Sequence, residues 1–203
     1  TLNTWLASLG EPPGWDDLAE SVAIPLASAL AHSHSLAVLH RDVKPTNVLW
    51  DGTGPLLTDF ALSKIKDHVA AAQDATVLGS TSAPWAPPDQ ASRGSAKFDV
   101  YGLAATLLQC VTPWPLRDFP DIAKALDAAD VPPDVLDVLT RALAPDPSSR
   151  QADGQVLLVE LQAIQDARNS RWRKQKVVAF ELSNKARRAH EEHQPGRNAL
   201  HRP

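Results

Sequence analysis

The sequence predicts a mainly α fold of the α+β type, a set of helices carrying one short β-hairpin. Three observations lead there. Apolar residues recur at helical spacing in two N-terminal and three C-terminal stretches. Residues 99–111 are apolar nearly all round, the mark of a helix enclosed by others. Val48-Leu49-Trp50 and Pro55-Leu56-Leu57-Thr58 flank Asp51-Gly52-Thr53-Gly54, which has the turn chemistry of a small hairpin.

Taken in order, residues 4–9 (Trp5, Leu6, Leu9) and 16–36 (Leu18, Val22, Leu26, Leu30) read as two helices separated by the Pro12-Pro13-Gly14 break. Pro25 falls inside the second pattern, where it lacks a backbone donor and clashes with the preceding turn, so a kink or a late helix start is expected. The hairpin follows and is expected to bring Asn47 and Asp59 side by side. From Lys64 to Ala91 no period is sustained and Ala, Ser, Thr and Pro abound, as in a long surface loop, a kind that is usually functional. The helix over 99–111 (Val100, Leu103, Ala104, Leu107, Leu108, Val111) is the expected hub. Pro113–Pro120 interrupts, and Ile122–Ala128, Pro133–Leu143 and Gly154–Ala167 then read as three more helices on Pro- and Asp-bearing turns. No internal repeat is visible.

A length of 203 residues favours one domain with an appendage. Cys110 is the lone cysteine, which excludes an internal disulfide framework, and no zinc-type Cys/His array exists. A reducing cytosol is the expected setting, with Cys110 as a buried apolar residue. No apolar run approaches the roughly 20 residues needed to span a bilayer, and no basic-then-apolar signal pattern opens the chain. The chain therefore reads as soluble and cytoplasmic, with no membrane partner. It begins at Thr1 and holds no methionine, so it is expected to be a piece of something longer. The net charge of −4 hides an asymmetry: residues 168–203 hold ten Lys/Arg and three Asp/Glu, a net +7, while residues 1–167 carry −11.

The stretch His40-Arg41-Asp42-Val43-Lys44-Pro45-Thr46-Asn47-Val48-Leu49 puts an acid, a base and an amide at fixed offsets on one short loop. Twelve residues after Asn47, behind a short apolar run, comes Asp59-Phe60-Ala61, whose carboxylate can converge with Asn47 on a metal ion. Such a set suits phosphoryl transfer, where charge gathers on nonbridging oxygens and catalysis is mainly positioning and electrostatic stabilisation. Further along stand Trp85-Ala86-Pro87-Pro88-Asp89-Gln90, Phe98-Asp99-Val100-Tyr101 and Leu143-Ala144-Pro145-Asp146-Pro147-Ser148-Ser149-Arg150.

In this order the motifs resemble a eukaryotic-type (Hanks-type) serine/threonine protein kinase. The likeness covers about residues 1–165, which correspond to its large C-terminal lobe, and the Ala-, Arg-, Asp- and Pro-rich composition points to a bacterial member. The resemblance implies that Asp42 accepts or orients the proton of the incoming hydroxyl and that Lys44 stands as a point charge beside the transferred group. It also implies that Asn47 and Asp59 hold Mg2+ (or Mn2+) ions bridging the phosphates of ATP, with Leu49 beneath the adenine. Lys44 two residues after Asp42 is the Ser/Thr-type spacing. His40 and Phe60 are implied members of an apolar stack anchored by Asp99, and Arg41 is placed to bind a phosphorylated activation loop at Thr76, Ser80 or Thr81. Ser82 aligns with the hydroxyl residue that contacts the catalytic loop, and Asp89 is expected to form a partly buried ion pair with Arg150.

The chain departs from the family pattern in several places. Ala61 stands where glycine is usual and Asp89 where glutamate is usual, and no GxGxxG loop, strand lysine or partner glutamate occurs. The small N-terminal lobe is thus missing, and this segment alone is expected to bind ATP weakly and turn over negligibly. The expected function is a serine/threonine protein kinase fragment that transfers the ATP γ-phosphate to protein substrates once its own N-lobe closes over it. The alternative is a pseudokinase or protein-docking scaffold, motivated by Ala61, Pro87, Asp89 and the missing lobe.

His32, His34 and His40 have core or solvated places in this pattern, and His190-Glu191-Glu192-His193 lacks the i, i+4 histidine spacing of a zinc helix. Residues 166–203 read as a basic helical linker or extension toward a further domain, with Val178, Leu182, Ala186 and Ala189 on one stripe to pack against it. Arg171, Arg173, Lys174, Lys176, Arg187 and Arg188 form either a solvated face or a surface for nucleic acid or acidic protein.

Overall fold

In the computed structural model, which describes residues 1–60, 84–89, 92–118 and 120–192, the chain is helical from the start. Ala61, the candidate phosphosites Thr76, Ser80 and Thr81, together with Ser82, Gln90 and His193, lie outside the described residues. Helix α1 (Leu2–Leu9) opens on Thr1, whose hydroxyl accepts from the Thr4 N–H at 3.4 Å, and stops at Gly10 with φ 77°. After the Pro12-Pro13 break, α2 (Trp15–Leu18), a π-helical turn (Ala19–Ala23) and α3 (Ile24–Ser35) follow without interruption. Pro25, in the first turn of α3, explains the wide turn. Its ring has no N–H to give Ser21 and presses on that carbonyl, and widening the preceding turn relieves both. The helix therefore does not start late: it runs from Trp15, and the irregularity expected at Pro25 takes the form of the π-helical turn Ala19–Ala23.

A left-handed residue closes α3: Ala37 (φ 57°) lets its N–H reach His34 O at 2.9 Å while the Val38 N–H reaches Ser33 O at 2.9 Å. Strands β1 (Val48–Trp50) and β2 (Pro55–Leu57) then pair antiparallel, Val48 opposite Leu57 and Leu49 opposite Leu56. Asp51 builds the turn, accepting from the Thr53 N–H (2.8 Å), the Thr53 hydroxyl (2.7 Å) and the Gly54 N–H (3.0 Å). The fully exposed Asp51 carboxyl consequently sits below its ordinary pKa.

Helix α4 (Ala96–Val111) is the hub: apart from Gln109, every residue from Asp99 to Val111 is buried. It packs against α3, α5 (Ile122–Ala128) and α6 (Pro133–Ala142). Asp121 caps α5 by accepting from the Lys124 N–H at 3.0 Å. Helix α7 (Gly154–Glu192) begins against α3, where a Cβ on Gly154 would lie 2.7 Å from Ala31 N, so only glycine fits. The helix expected over 154–167 does not end there but continues to Glu192.

Two compact units divide the chain, Thr1–Ile164 and Gln165–Pro203. In the first, Leu157 and Leu161 of α7 join the core with Leu26, Leu30, Leu107 and Leu139. In the second, the described helical residues expose Trp172, Val177, Val178, Phe180 and Leu182.

Arg150 fastens the segment around Asp89 to the core. Its buried guanidinium donates to Asp89 Oδ2 (2.6 Å), Ser92 Oγ (3.1 Å), Ala144 O (2.8 Å) and Pro145 O (3.1 Å), and lies 5.0 Å over the Tyr101 ring. The shorter aspartate still reaches, because its other oxygen takes the Ser92 N–H at 2.7 Å. Burial alone would raise the Asp89 pKa, but the bonds from Arg150 and Ser92 outweigh it and hold the carboxyl below its ordinary value. Arg150→Ala strands this carboxylate and three other acceptors, a loss of about 3 to 5 kcal/mol. Thermal melting is expected to show Tm lower by roughly 6 to 20 °C; an unchanged Tm means the pair carries no stability.

Candidate active site

The loop from His40 to Asn47 has no regular secondary structure before the 3-10 turn Pro45–Asn47, so its shape must come from side-chain bonds. Its anchor to the helical core is Asp99, fully buried in the first turn of α4. Asp99 Oδ2 accepts from the His40 N–H (2.8 Å) and His34 Nε2 (3.0 Å), and Oδ1 accepts from the Arg41 N–H (2.5 Å). The N-terminal end of a helix favours a carboxylate, and three donors around it satisfy the charge. His34 Nδ1 takes the Gly154 N–H at 3.0 Å, which leaves Nε2–H as the donor to Asp99 and ties α3, α4 and α7 together at one point.

The Asp99 bond to the Arg41 N–H holds Arg41 at φ 63°, a left-handed conformation that costs a non-glycine residue about 1 to 2 kcal/mol. Asp59 adopts φ 70°, so a left-handed residue does occur in the Asp59-Phe60 stretch. Gly102 brings α4 against the loop: a Cβ there would stand 2.8 Å from Val43 O and 3.3 Å from Trp85 O.

Beyond this anchor the polar residues converge. Lys44 Nζ donates to Asp42 Oδ2 at 2.9 Å, and Asn47 Nδ2 donates to Asp42 O at 2.8 Å and to Asp42 Oδ2 at 3.3 Å. Asp42 and Lys44 retain modest side-chain exposure, 11% and 19%, enough to meet a ligand while the surrounding protein limits screening. At the open end of the hairpin, the Thr58 N–H (2.9 Å) and hydroxyl (3.0 Å) both donate to Asn47 O, which fixes the residue before the exposed Asp59 against the Asn47 backbone. Both Asn47 side-chain bonds use Nδ2, leaving Oδ1 as its oxygen for a cation. Leu49 and Leu56, opposite one another on the hairpin, are 44% and 49% exposed and form an apolar patch. Behind them Trp50 stacks on Trp5 of α1 at 4.7 Å and 7°.

His40 is the second anchor. Its Nε2 donates to Thr58 O at 2.6 Å, its Nδ1 accepts from the Asp42 N–H at 3.2 Å, and its ring meets Phe60 edge-on at 4.5 Å. A single neutral imidazole thus joins the loop of Asp42 to the strand end that carries Asp59. Among the described residues, no group of three His, Cys, Asp or Glu side chains forms a self-sufficient metal cage.

The sequence motifs named Asp42, Lys44, Asn47 and Asp59, and the fold assembles all four in one region. They did not reveal His34, Thr58 or Leu56, because each depends on a partner in another element. Gly102, a lone glycine in an apolar helical run, was a legible sign of close backbone approach.

The family profile of the protein kinase domain matches residues 15–161. The chain belongs to the protein kinase family. Among curated proteins, it is 30% identical over 158 residues to serine/threonine-protein kinase PrkC of Bacillus subtilis, covering 70% of this chain and 24% of that protein. It is 29% identical over 194 residues to serine/threonine-protein kinase PknK of Mycobacterium tuberculosis, covering 85% of this chain and 17% of that one. Serine/threonine-protein kinase PkaA of Streptomyces coelicolor is 39% identical over 92 residues, 43% of this chain and 17% of its own length. The chain spans less than a quarter of the length of each of these relatives. The helical large-lobe architecture and the serine/threonine kinase type expected from the motifs agree with these matches.

In this kinase lobe, burial pushes the pKa of His40 below the ordinary 6.5, against the opposing pull of its bond to Thr58 O and of the carboxylates of Asp99, Asp42 and Asp59. The unfolded chain then binds a proton that the folded chain refuses, so the contribution of His40 is complete above about pH 6.5 and is lost as pH falls toward its folded value. Denaturant melts from pH 7.5 to 5 are expected to lose stability below about pH 6.5, and His40→Phe is expected to flatten that slope. An identical slope in the variant removes His40 as its source. Asp99→Asn replaces a carboxylate oxygen with a donor facing other donors and is expected to cost about 3 kcal/mol in the same melts.

Proposed function

We propose that the chain is the large lobe of an ATP-dependent protein serine/threonine kinase, on the strength of the Asp42–Lys44–Asn47 cluster held on a pre-shaped loop. Asp42 Oδ2 accepts or orients the proton of the incoming hydroxyl. Its two neighbouring donors, Lys44 and Asn47, fix the carboxylate's direction before substrate arrives, which is where positioning gains most. Lys44 Nζ serves as a point charge beside the transferred phosphoryl group.

Asn47 and Asp59 supply hard oxygen atoms suited to Mg2+ or Mn2+. Two protein ligands fall short of a cage, and that fits an ion that takes its remaining ligands from phosphates and water. When bound, the ion neutralises charge on the phosphates of ATP. Leu49 with Leu56 offers an apolar floor for the adenine. A cleft of about 910 Å³ runs from Lys44 and Thr46 past Leu6, Pro12, Trp85 and Trp114, room for an extended segment of a protein substrate.

The glycine-rich loop and strand lysine are not among these 203 residues, so turnover requires an N-lobe to close over this surface. We assign residues 1–165 to the kinase lobe and 166–203 to a basic helical extension toward a further domain, in a bacterial protein acting in the cytoplasm. The scaffold reading loses one of its supports, since Asp89 makes the ion pair expected of the longer glutamate.

The full-length protein, supplied with Mg-ATP and a protein substrate, is expected to incorporate phosphate on serine or threonine, and chelation by EDTA to stop it. Asp42→Asn is expected to lower incorporation by about 100-fold or more with melting unchanged. Equal incorporation by the two proteins defeats the assignment of Asp42, and no incorporation by either leaves the scaffold reading.

A further inference from the structure

The second unit carries a charge pattern that phosphoryl transfer does not use. Between residues 168 and 188 the helix holds eight Lys/Arg against a single acid, Glu181. At 100° per residue, Trp172, Val178, Ala179, Leu182 and Ala186 fall within an arc of roughly 120°. Within 172–188 no charged residue shares that arc: Arg173, Lys174, Lys176, Lys185, Arg187 and Arg188 all lie outside it. The arc is open to solvent, with Trp172 55%, Val178 53% and Leu182 62% exposed. Lys176 Nζ lies 3.9 Å over the Trp172 ring, so an aromatic and a cation sit together at the edge of the arc.

We propose that this helix lies in the plane of an anionic membrane surface, with Trp172, Val178 and Leu182 inserted among the acyl chains and the flanking Lys and Arg on the lipid phosphates. The occupant has to be apolar and anionic at once. A second copy of the same helix brings the apolar face but also the same positive charge, and nucleic acid brings negative charge but no partner for an exposed Trp-Val-Leu arc. An anionic lipid surface supplies both layers, at the depths where a helix presents them. Arg168 and Arg171 fall on the N-terminal end of the arc, where long side chains can bend out to the headgroups. Val177 and Phe180, 57% and 68% exposed, lie among the basic side chains and are not part of the inserted face.

Among the described residues no helix is long and apolar enough to cross a membrane, and none needs to be. The sequence excluded a spanning segment and, from that, a membrane partner; a helix that lies on the surface is a different physical object. This inference rests on the second unit alone and stands apart from the kinase assignment.

The test is sedimentation of the full-length protein with vesicles of phosphatidylcholine alone, with vesicles of phosphatidylcholine and phosphatidylglycerol at about three to one, and with duplex DNA as competitor. Expected is binding to the anionic vesicles at least about tenfold tighter than to neutral ones, weakened by salt. Trp172→Glu and Leu182→Glu are each expected to weaken it about tenfold while melting and phosphate incorporation stay unchanged. Circular dichroism confirms that the variants keep their helix. No binding to anionic vesicles, equal binding to neutral ones, or indifference to both substitutions overturns the proposal. So does preferential capture by DNA, which assigns the charge to nucleic acid.

Discussion

The Asp99 carboxylate is the interaction on which the rest of the lobe depends. One buried side chain in the first turn of the central helix accepts from the backbone of His40 and Arg41 and from the His34 ring. A carboxylate taken out of water is tolerable only when its oxygens are fully engaged, so the loop cannot drift without exposing an unsatisfied charge. The same bonds hold Arg41 in a left-handed conformation it would not choose alone. Strain of this kind persists where surrounding bonds over-determine the backbone, and here the constraint ends one residue before Asp42.

Two histidines extend that constraint in opposite directions. His34 passes it to the start of α7 through Gly154, and His40 passes it to the strand end at Thr58, next to Asp59. Both act with one nitrogen donating and the other accepting, so each ring reads the position of two backbone segments at once. The separation between the loop that carries Asp42 and Asn47 and the segment after β2 that carries Asp59 is thus set by bonds rather than by contacts of the polar groups themselves. A preorganised site of this sort orients its side chains before ligand binding.

The first unit is acidic and organised around a buried core, while the described part of the second is a basic helix with its apolar residues outward. An acidic lobe that handles phosphate relies on local cations: Lys44 beside Asp42, and metal ions at Asn47 and Asp59 in the proposed chemistry. The basic helix faces a different demand, since its apolar residues lack the burial that pays for ordering elsewhere.

Much of the fold and of the candidate site was legible in the residues themselves. Helical periodicity located the central helix, the Asp-Gly-Thr-Gly turn located the hairpin, and Pro25 announced the irregular start of α3. The site's polar residues were legible because phosphoryl transfer demands particular groups at particular offsets, and the Asp89–Arg150 pair because the two motifs that carry it resemble the kinase pattern. The partnerships of His34, Thr58, Leu56 and Gly154 were not, since each joins elements distant in sequence and no local pattern encodes a distance between them. The continuity of α7 also escaped, because its apolar period weakens after residue 167 while helix propensity carries it on to Glu192. By itself the sequence determined which polar residues are candidates for the chemistry and which elements they stand on, as local composition and spacing suffice for that. Only the tertiary structure decided that one buried carboxylate holds the loop, for that depends on where α4 comes to rest against a loop about 60 residues earlier.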